Sequence, residues 1–101
     1  MPPRPDRHRP VRPAPETVGR ARAALWRSGD FGVVVLPEHA DDPVTLAGSG
    51  ALLWELLAQP RPLPDVAEEL AGLYGAPVAV VMRDLEPVVD RLVTLGALER
   101  V

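Results

Sequence analysis

The chain has 101 residues, which is enough for one hydrophobic core and too few for two. It contains no cysteine, so disulfides, thiol nucleophiles and thiolate metal sites are excluded. No apolar run reaches the roughly 18 residues of a membrane span, and the first residues lack the apolar segment of a secretion signal, so we expect a cytoplasmic protein that does not enter membranes.

The charge changes sign along the chain. Residues 1–27 hold seven arginines and two acidic residues, whereas residues 28–101 hold four arginines and twelve acidic residues. Six prolines fall among the first fifteen residues, where almost nothing is apolar, so this stretch can neither propagate a helix nor bury enough surface to order itself. We predict a disordered Arg/Pro-rich arm over residues 1–17 and one folded domain over residues 18–101. The arm is interpreted as a solubilising tail, with docking to an acidic or SH3-like partner as an alternative.

A small antiparallel sheet is predicted next. Residues 32–37, GVVVLP, have the β-branched composition of a strand and follow the turn sequence SGDFG. A third strand, residues 43–46, returns after the polar turn EHADD. Residues 18–27 are ambiguous, because their alanines and arginines favour a helix whereas their alternation fits a strand. The hairpin needs a partner, so we expect a strand there.

Three helices are predicted after the sheet. Ser49 is expected to cap the first helix, with Trp54 flanking its apolar stripe. The second begins near Pro64 and Asp65 and stops at Gly75, since proline and a carboxylate suit a first turn. The two stripes consist of Leu52, Leu53, Leu56 and Leu57, and of Leu63, Val66, Ala67, Leu70 and Leu73.

The third helix is predicted from about Pro77 to Leu95, with Gly96 as its stop. Pro87 lies inside it, where the missing amide bond predicts a kink that faces solvent or a functional groove. The predicted apolar side consists of Val78, Val81, Leu85, Val88, Leu92 and Leu95.

Groups suited to catalysis are sparse. His8 falls in the arm and His39 in a hairpin turn, and no carboxylate is arranged to make either a base or a metal pair. The GSG sequence is slightly similar to a phosphate loop, but the Walker spacing is absent and the chain has no lysine. We therefore expect no active site, no metal and no cofactor.

The order of elements resembles the PqqD family, which also supplies the recognition domains for precursor peptides of ribosomally made, modified natural products. The sequence LAGSGALLWELL keeps Leu46, the joint of small residues, Trp54 and a Leu pair, with Ala47 where the family has Asn. LPDVAEELAGLYG and RDLEPVVDRLVTLGAL are similar to the family's second and third helices, so the resemblance covers about residues 20–101. It implies an α+β, winged-helix-like fold in which a three-stranded antiparallel sheet is followed by three helices.

The resemblance also implies a function. A non-catalytic peptide chaperone would bind the leader of a precursor peptide as an added strand along the third strand, in a groove walled by the third helix, and present it to a modifying enzyme or leader peptidase. The compact form resembles those of lasso-peptide pathways. The implied peptide-binding residues are Val44, Thr45, Leu46, Val81, Arg83, Asp84, Leu85, Val88 and Arg91.

The principal alternative is a winged-helix nucleic-acid-binding protein whose third helix reads the groove. Asp84, Glu86 and Asp90 would then meet phosphate with the wrong sign, and the folded part lacks the basic footprint of a DNA-binding domain. The sequence therefore favours peptide recognition over nucleic acid.

Overall fold

The computed structural model describes residues 16–101, so the predicted arm lies outside the described residues except for its last two positions. The elements in chain order are β1 (Thr17–Arg20), β2 (Leu25–Gly29), β3 (Gly32–Leu36), β4 (Val44–Leu46), α1 (Ser49–Leu56), β5 (Arg61–Pro62), α2 (Leu63–Tyr74), α3 (Val78–Leu95) and β6 (Leu98–Arg100). None of the helices over residues 16–101 has the length and apolar character needed to cross a membrane.

The predicted three-stranded antiparallel sheet is confirmed, in the order β2-β3-β4. β2 and β3 form a hairpin whose turn is Asp30 and Phe31, within the predicted turn sequence. Val33 and Val35 of the central strand are almost fully buried, because each lies on the face that packs against the helices. β2 and β4 are the two outer strands of this sheet.

The single strand predicted over residues 18–27 is wrong in its extent. The chain forms two strands there, β1 and β2, which belong to different sheets and are separated by a tight turn in which the Ala24 N–H donates to the Ala21 carbonyl at 3.1 Å. The turn contains neither glycine nor proline, so no local signal marked it. The alternation that suggested one strand fails from Ala23 onward, because Ala23 and Leu25 are exposed whereas Ala24 is buried.

A second antiparallel sheet, in the order β5-β1-β6, was not predicted. Val18 of β1 is fully buried and pairs with Arg61 on one side and Arg100 on the other. β5 has only two residues, one of them proline, and β6 only three, so neither is long enough to give a strand pattern in the sequence. This sheet joins the two ends of the described chain.

Both helix stops are confirmed. Gly75 and Gly96 end α2 and α3 in the left-handed conformation, with φ of 65° and 83°. The prediction that Ser49 caps α1 is wrong, because Gly48 occupies the N-cap and Ser49, the first helical residue, makes no capping side-chain hydrogen bond. Pro87 lies inside α3 and is exposed.

The apolar stripes are rotated from their predicted positions. In α1 Trp54 is 1% exposed and belongs to the core, whereas Leu52 and Leu56 are half-buried. In α3 Val89 is fully buried and Val88 is 43% exposed. Adjacent positions on a helix lie 100° apart, and α3 has apolar residues at both, so the pattern alone could not select the buried one. The other predicted stripe positions that are exposed are Leu73 and Val78.

Candidate functional site

β4 is a sheet edge. Its only strand partner among the described residues is β3, with Val44 opposite Val35 and Leu46 opposite Val33. Thr45 lies on the other face of the sheet and is exposed. Because backbone groups on the outer side of an edge strand have no ladder partner, β4 can accept a further strand.

The side chains of β4 differ in their availability. Leu46 is 8% exposed and belongs to the core, and Val44 is half-buried against it. For Leu46 the core role is therefore observed, and what the strand offers to another chain is mainly its backbone and Thr45.

An apolar pocket of about 250 Å³ lies where the start of α1, the end of α2 and one side of α3 meet. Four of the predicted site residues line it: Val81, Asp84, Leu85 and Val88. Its remaining walls are Ser49, Gly50, Leu53, Leu70, Tyr74, Ala76 and Val80. The pocket is smaller than a typical small-molecule site of about 300–1,000 Å³, and its size suits apolar side chains of a peptide.

The pocket and the edge strand adjoin each other at Gly50. A Cβ placed on Gly50 would lie 3.7 Å from the Leu46 Cβ, so the last residue of β4 borders the pocket wall. The structure thus brings together one end of the predicted strand and the predicted face of α3.

The loop before β4 is fixed to the end of α3 through main-chain atoms. The Glu38 N–H donates to the Gly96 carbonyl at 3.2 Å, and the His39 N–H donates to the Leu95 carbonyl at 2.9 Å. A Cβ on Gly96 would lie 2.9 Å from the His39 nitrogen, so the close approach depends on glycine there. These bonds satisfy carbonyls that a helix end leaves open, and they set the position of β4 relative to α3.

The two arginines of the predicted site do not line the pocket. Arg83 is exposed, with its Nε 3.8 Å from Asp84 Oδ1, and Arg91 is exposed further along α3. Asp84 is the one carboxylate in the pocket wall. The exposed guanidinium of Arg83 beside it screens its negative charge only weakly. The arrangement suits an apolar anchor with a hydrogen-bond donor or cation beside Asp84.

Tyr74 is the main site residue that the sequence did not predict. It is 56% exposed at the end of α2 and lines the pocket together with Leu53 and Leu70. The sequence feature that could have indicated Tyr74 is its place as an aromatic residue at the last position of α2, before the glycine stop and outside the buried stripe.

A separate cluster links β1, β2 and α1. The Arg20 guanidinium lies 4.5 Å from the centroid of the Trp26 ring and 5.0 Å from that of Trp54, and it donates to the Trp54 carbonyl from Nε at 3.0 Å and Nη2 at 2.8 Å. The two rings meet edge to face at 5.9 Å. Partial burial lowers the pKa of Arg20, and the nearby Glu55 carboxylate opposes this shift. The cluster holds the start of β2 against the end of α1.

Comparison with known proteins gives one family. The model described as "Coenzyme PQQ synthesis protein D (PqqD)" matches residues 32–98, which run from the start of β3 to the start of β6. All nine predicted site residues and the whole apolar pocket fall within that span. No curated protein and no solved structure matches the chain significantly.

Proposed function

The chain belongs to the PqqD family, and from this premise we propose that it is a leader-peptide-binding protein that presents a ribosomally synthesised precursor to a modifying enzyme or leader peptidase. The observation that carries the proposal is the apolar pocket that adjoins the open edge of β4. A pathway of the lasso-peptide type, with a leader peptidase as the partner, is the specific form that we favour.

The proposed mode is β-strand addition. The leader pairs antiparallel with β4 through main-chain hydrogen bonds, while alternate side chains point toward the helices. With three residues in β4, this edge supports few such bonds. Each nets about 0.5–1.5 kcal/mol, whereas ordering each leader residue costs about 1–2 kcal/mol, so backbone pairing alone does not hold the peptide.

The pocket supplies the remaining affinity. An apolar leader side chain that enters it gains about 1.5–3 kcal/mol from burial, roughly a tenfold to hundredfold change in affinity. The exposed side chains of Val88 and Tyr74 give this anchor a surface that is accessible without rearrangement of the core. Asp84 then favours a basic or donor-bearing leader residue next to the anchor.

Family membership also supports a non-catalytic role. The pocket wall carries Asp84 as its one carboxylate and no histidine. In the proposed division of labour this protein holds the leader and the partner enzyme performs the reaction.

The first test measures binding of the leader segment of a precursor-like peptide encoded beside the gene, by isothermal titration calorimetry against a scrambled peptide. Val88→Asp places a carboxylate in the pocket wall and is expected to weaken binding at least tenfold. Val78→Asp is the matched control, because Val78 lies on the same helix, is 40% exposed compared with 43% for Val88, and does not line the pocket. Equal affinities of the two variants would reject the pocket as the anchor site.

The second test addresses strand addition directly. Leader peptides carrying a single backbone N-methyl group are compared position by position. Paired strands direct every second N–H toward the partner, so methylation should weaken binding at alternate positions and be tolerated between them. A profile without this two-residue period would contradict β-strand addition, even if the pocket is used.

A further inference from the structure

A second groove lies on another side of α3 from the apolar pocket. It has a volume of about 160 Å³, and its walls are Glu16, Leu63, Pro64, Met82, Glu86 and Asp90. Leu63 is buried and Met82 is half-buried, so the floor is apolar, whereas all three carboxylates are exposed. Met82, Glu86 and Asp90 recur every four residues of α3 and form one stripe, roughly 12 Å long. The groove therefore has the length of a short extended segment.

The described part of the chain starts in this groove. Glu16 is the first described residue, and the Leu63 N–H donates to its carbonyl oxygen at 2.7 Å. This bond continues the β1–β5 register, in which Thr17 lies opposite Pro62, by one position. Consecutive Cα atoms are about 3.8 Å apart, so residues 1–15 are attached to the molecule at the groove itself.

The arginines of residues 16–101 do not balance the charge of the groove. Arg100 pairs with Glu16, at 2.8 Å, and with Asp90, whereas no described arginine forms an ion pair with Glu86. Asp65, beside Pro64 in the first turn of α2, adds a further carboxylate. The other described arginines are outside the groove wall: Arg20, Arg22, Arg27, Arg61, Arg83 and Arg91. One guanidinium thus serves three carboxylates in the wall.

Residues 1–15 carry the opposite charge. They contain four arginines, Arg4, Arg7, Arg9 and Arg12, and one acidic residue, a formal charge of +3. Residues 16–101 contain seven arginines and thirteen acidic residues, a formal charge of −6. The folded part of a second copy is equally acidic, so the arm complements the groove and the body of another copy does not.

The sequence next to Glu16 also fits the length of the groove. Pro13 and Pro15 favour polyproline II backbone, which advances about 3.1 Å per residue, so the four steps from Glu16 to Arg12 cover roughly 12 Å. Glu16 is at the Asp90 end, since both bind Arg100, so Arg12 would reach the other end of the stripe, with Glu86 within the span of its side chain. A polyproline backbone needs no ladder partner, so docking leaves few donors unsatisfied.

We propose that this groove is an intramolecular docking site for residues 9–15, in which Val11 and Pro13 cover Met82 and Arg12 pairs with Glu86. Attachment at Glu16 gives the segment an effective concentration in the millimolar range, so a weak contact is sufficient, and a basic segment of any other molecule has to compete with it. Docking does not depend on leader binding, because it uses neither β4 nor the apolar pocket.

The test uses the full chain with Pro10→Cys as the attachment point for a nitroxide spin label, since the chain has no cysteine of its own. Paramagnetic broadening of amide signals reports how often the label is near each amide. We expect the strongest broadening at Met82 and Glu86, and much less at Thr45 on β4.

Charge reversals then identify the contact. Glu86→Arg is expected to lower the broadening at Met82 at least threefold, whereas Glu38→Arg, the same change at an exposed position outside the groove, should alter it by less than about 1.5-fold. Arg12→Glu should act as Glu86→Arg does. The two changes together should restore at least half of the broadening, because the ion pair is re-formed with its charges exchanged.

The proposal is overturned if broadening declines evenly with distance from Glu16 and is unchanged by Glu86→Arg, or if the exchanged pair restores nothing. A mixture of spin-labelled chains without nitrogen-15 and nitrogen-15-labelled chains without the spin label tests the other occupant. Broadening at Met82 in that mixture would overturn the proposal too, because it would show that the arm of a second copy fills the groove. The leader function is tested separately, since Val88→Asp and N-methylated leaders leave the groove unchanged.

Discussion

Gly32 determines how closely β4 can lie against β3. Its φ is 112°, a value that side chains disfavour, and a Cβ there would clash with the Leu46 carbonyl oxygen. The same residue also completes the hairpin, opposite Gly29. The backbone contact that places the proposed peptide-binding edge is therefore possible because position 32 has no side chain.

Gly32→Ala is expected to lower the free energy of unfolding by about 2–4 kcal/mol, because it adds backbone strain to a clash with a neighbouring strand. The measurement is urea denaturation followed by circular dichroism. Gly72→Ala is the control: Gly72 lies in α2 with nothing within 4 Å of a Cβ, so alanine should raise stability by about 0.5–1 kcal/mol. Similar effects of the two substitutions would show that the β3–β4 contact is not tight.

At the scale of the element, α3 contributes side chains both to the core and to the pocket. Leu85, Val89 and Leu92 pack into the core, while Val81, Asp84 and Val88 line the pocket. Pro87 lies between these positions on the exposed side and removes the amide hydrogen bond to the Arg83 carbonyl. The helix therefore carries a local weakness next to the proposed anchor site.

Pro87→Ala is expected to raise the free energy of unfolding by about 1–3 kcal/mol, because an interior proline destabilises a helix by about 3 kcal/mol and an exposed one contributes little packing. Thermal denaturation gives the comparison. Pro64→Ala, at the first turn of α2 where proline is favourable, should leave stability unchanged or lower it. A loss of stability in Pro87→Ala would mean that the ring makes a packing contribution of its own.

At the scale of the whole molecule, the sheet formed by β5, β1 and β6 closes the fold. β1 lies between two strands that come from the middle and the end of the chain, and Leu98 of β6, 2% exposed, joins the same core as Leu53 and Val89. A single core shared by both sheets predicts that they unfold together.

Leu98→Ala is expected to lower stability by about 2–5 kcal/mol, the range for truncation of a buried leucine. Tryptophan fluorescence, which reports on α1 and β2, and far-ultraviolet circular dichroism should show one shared transition at a lower urea concentration. Leu73→Ala, at a position 61% exposed, should change stability by no more than about 0.5 kcal/mol. Two separate transitions would show that the sheets fold independently.

Sequence reasoning succeeded where a signal extends over many residues. The bounds of α2 and α3 followed from helical periodicity and from Gly75 and Gly96. It failed where the decisive contacts are between distant residues: β5 and β6 are strands only because β1 lies between them. The family was predicted correctly from motifs spread over three helices.

For the proposed site, the sequence named residues on one face of α3. It named Val81, Asp84, Leu85 and Val88, which the structure gathers in one pocket. It could not place Tyr74 in the same wall, because the angle at which α2 meets α3 depends on tertiary packing rather than on the pattern within either helix.

The main-chain bonds from Glu38 and His39 to the end of α3 have an implication for how this fold tolerates change. Since these two hydrogen bonds are donated by backbone N–H groups, they do not depend on which side chains occupy the two positions, apart from proline, which has no N–H to donate. Loop length is a different matter. Inserting one residue between His39 and Val44 would let β4 slip by one position against β3, which would exchange its inward and outward faces. The length of this loop therefore keeps Thr45 on the outer face and Leu46 on the inner face.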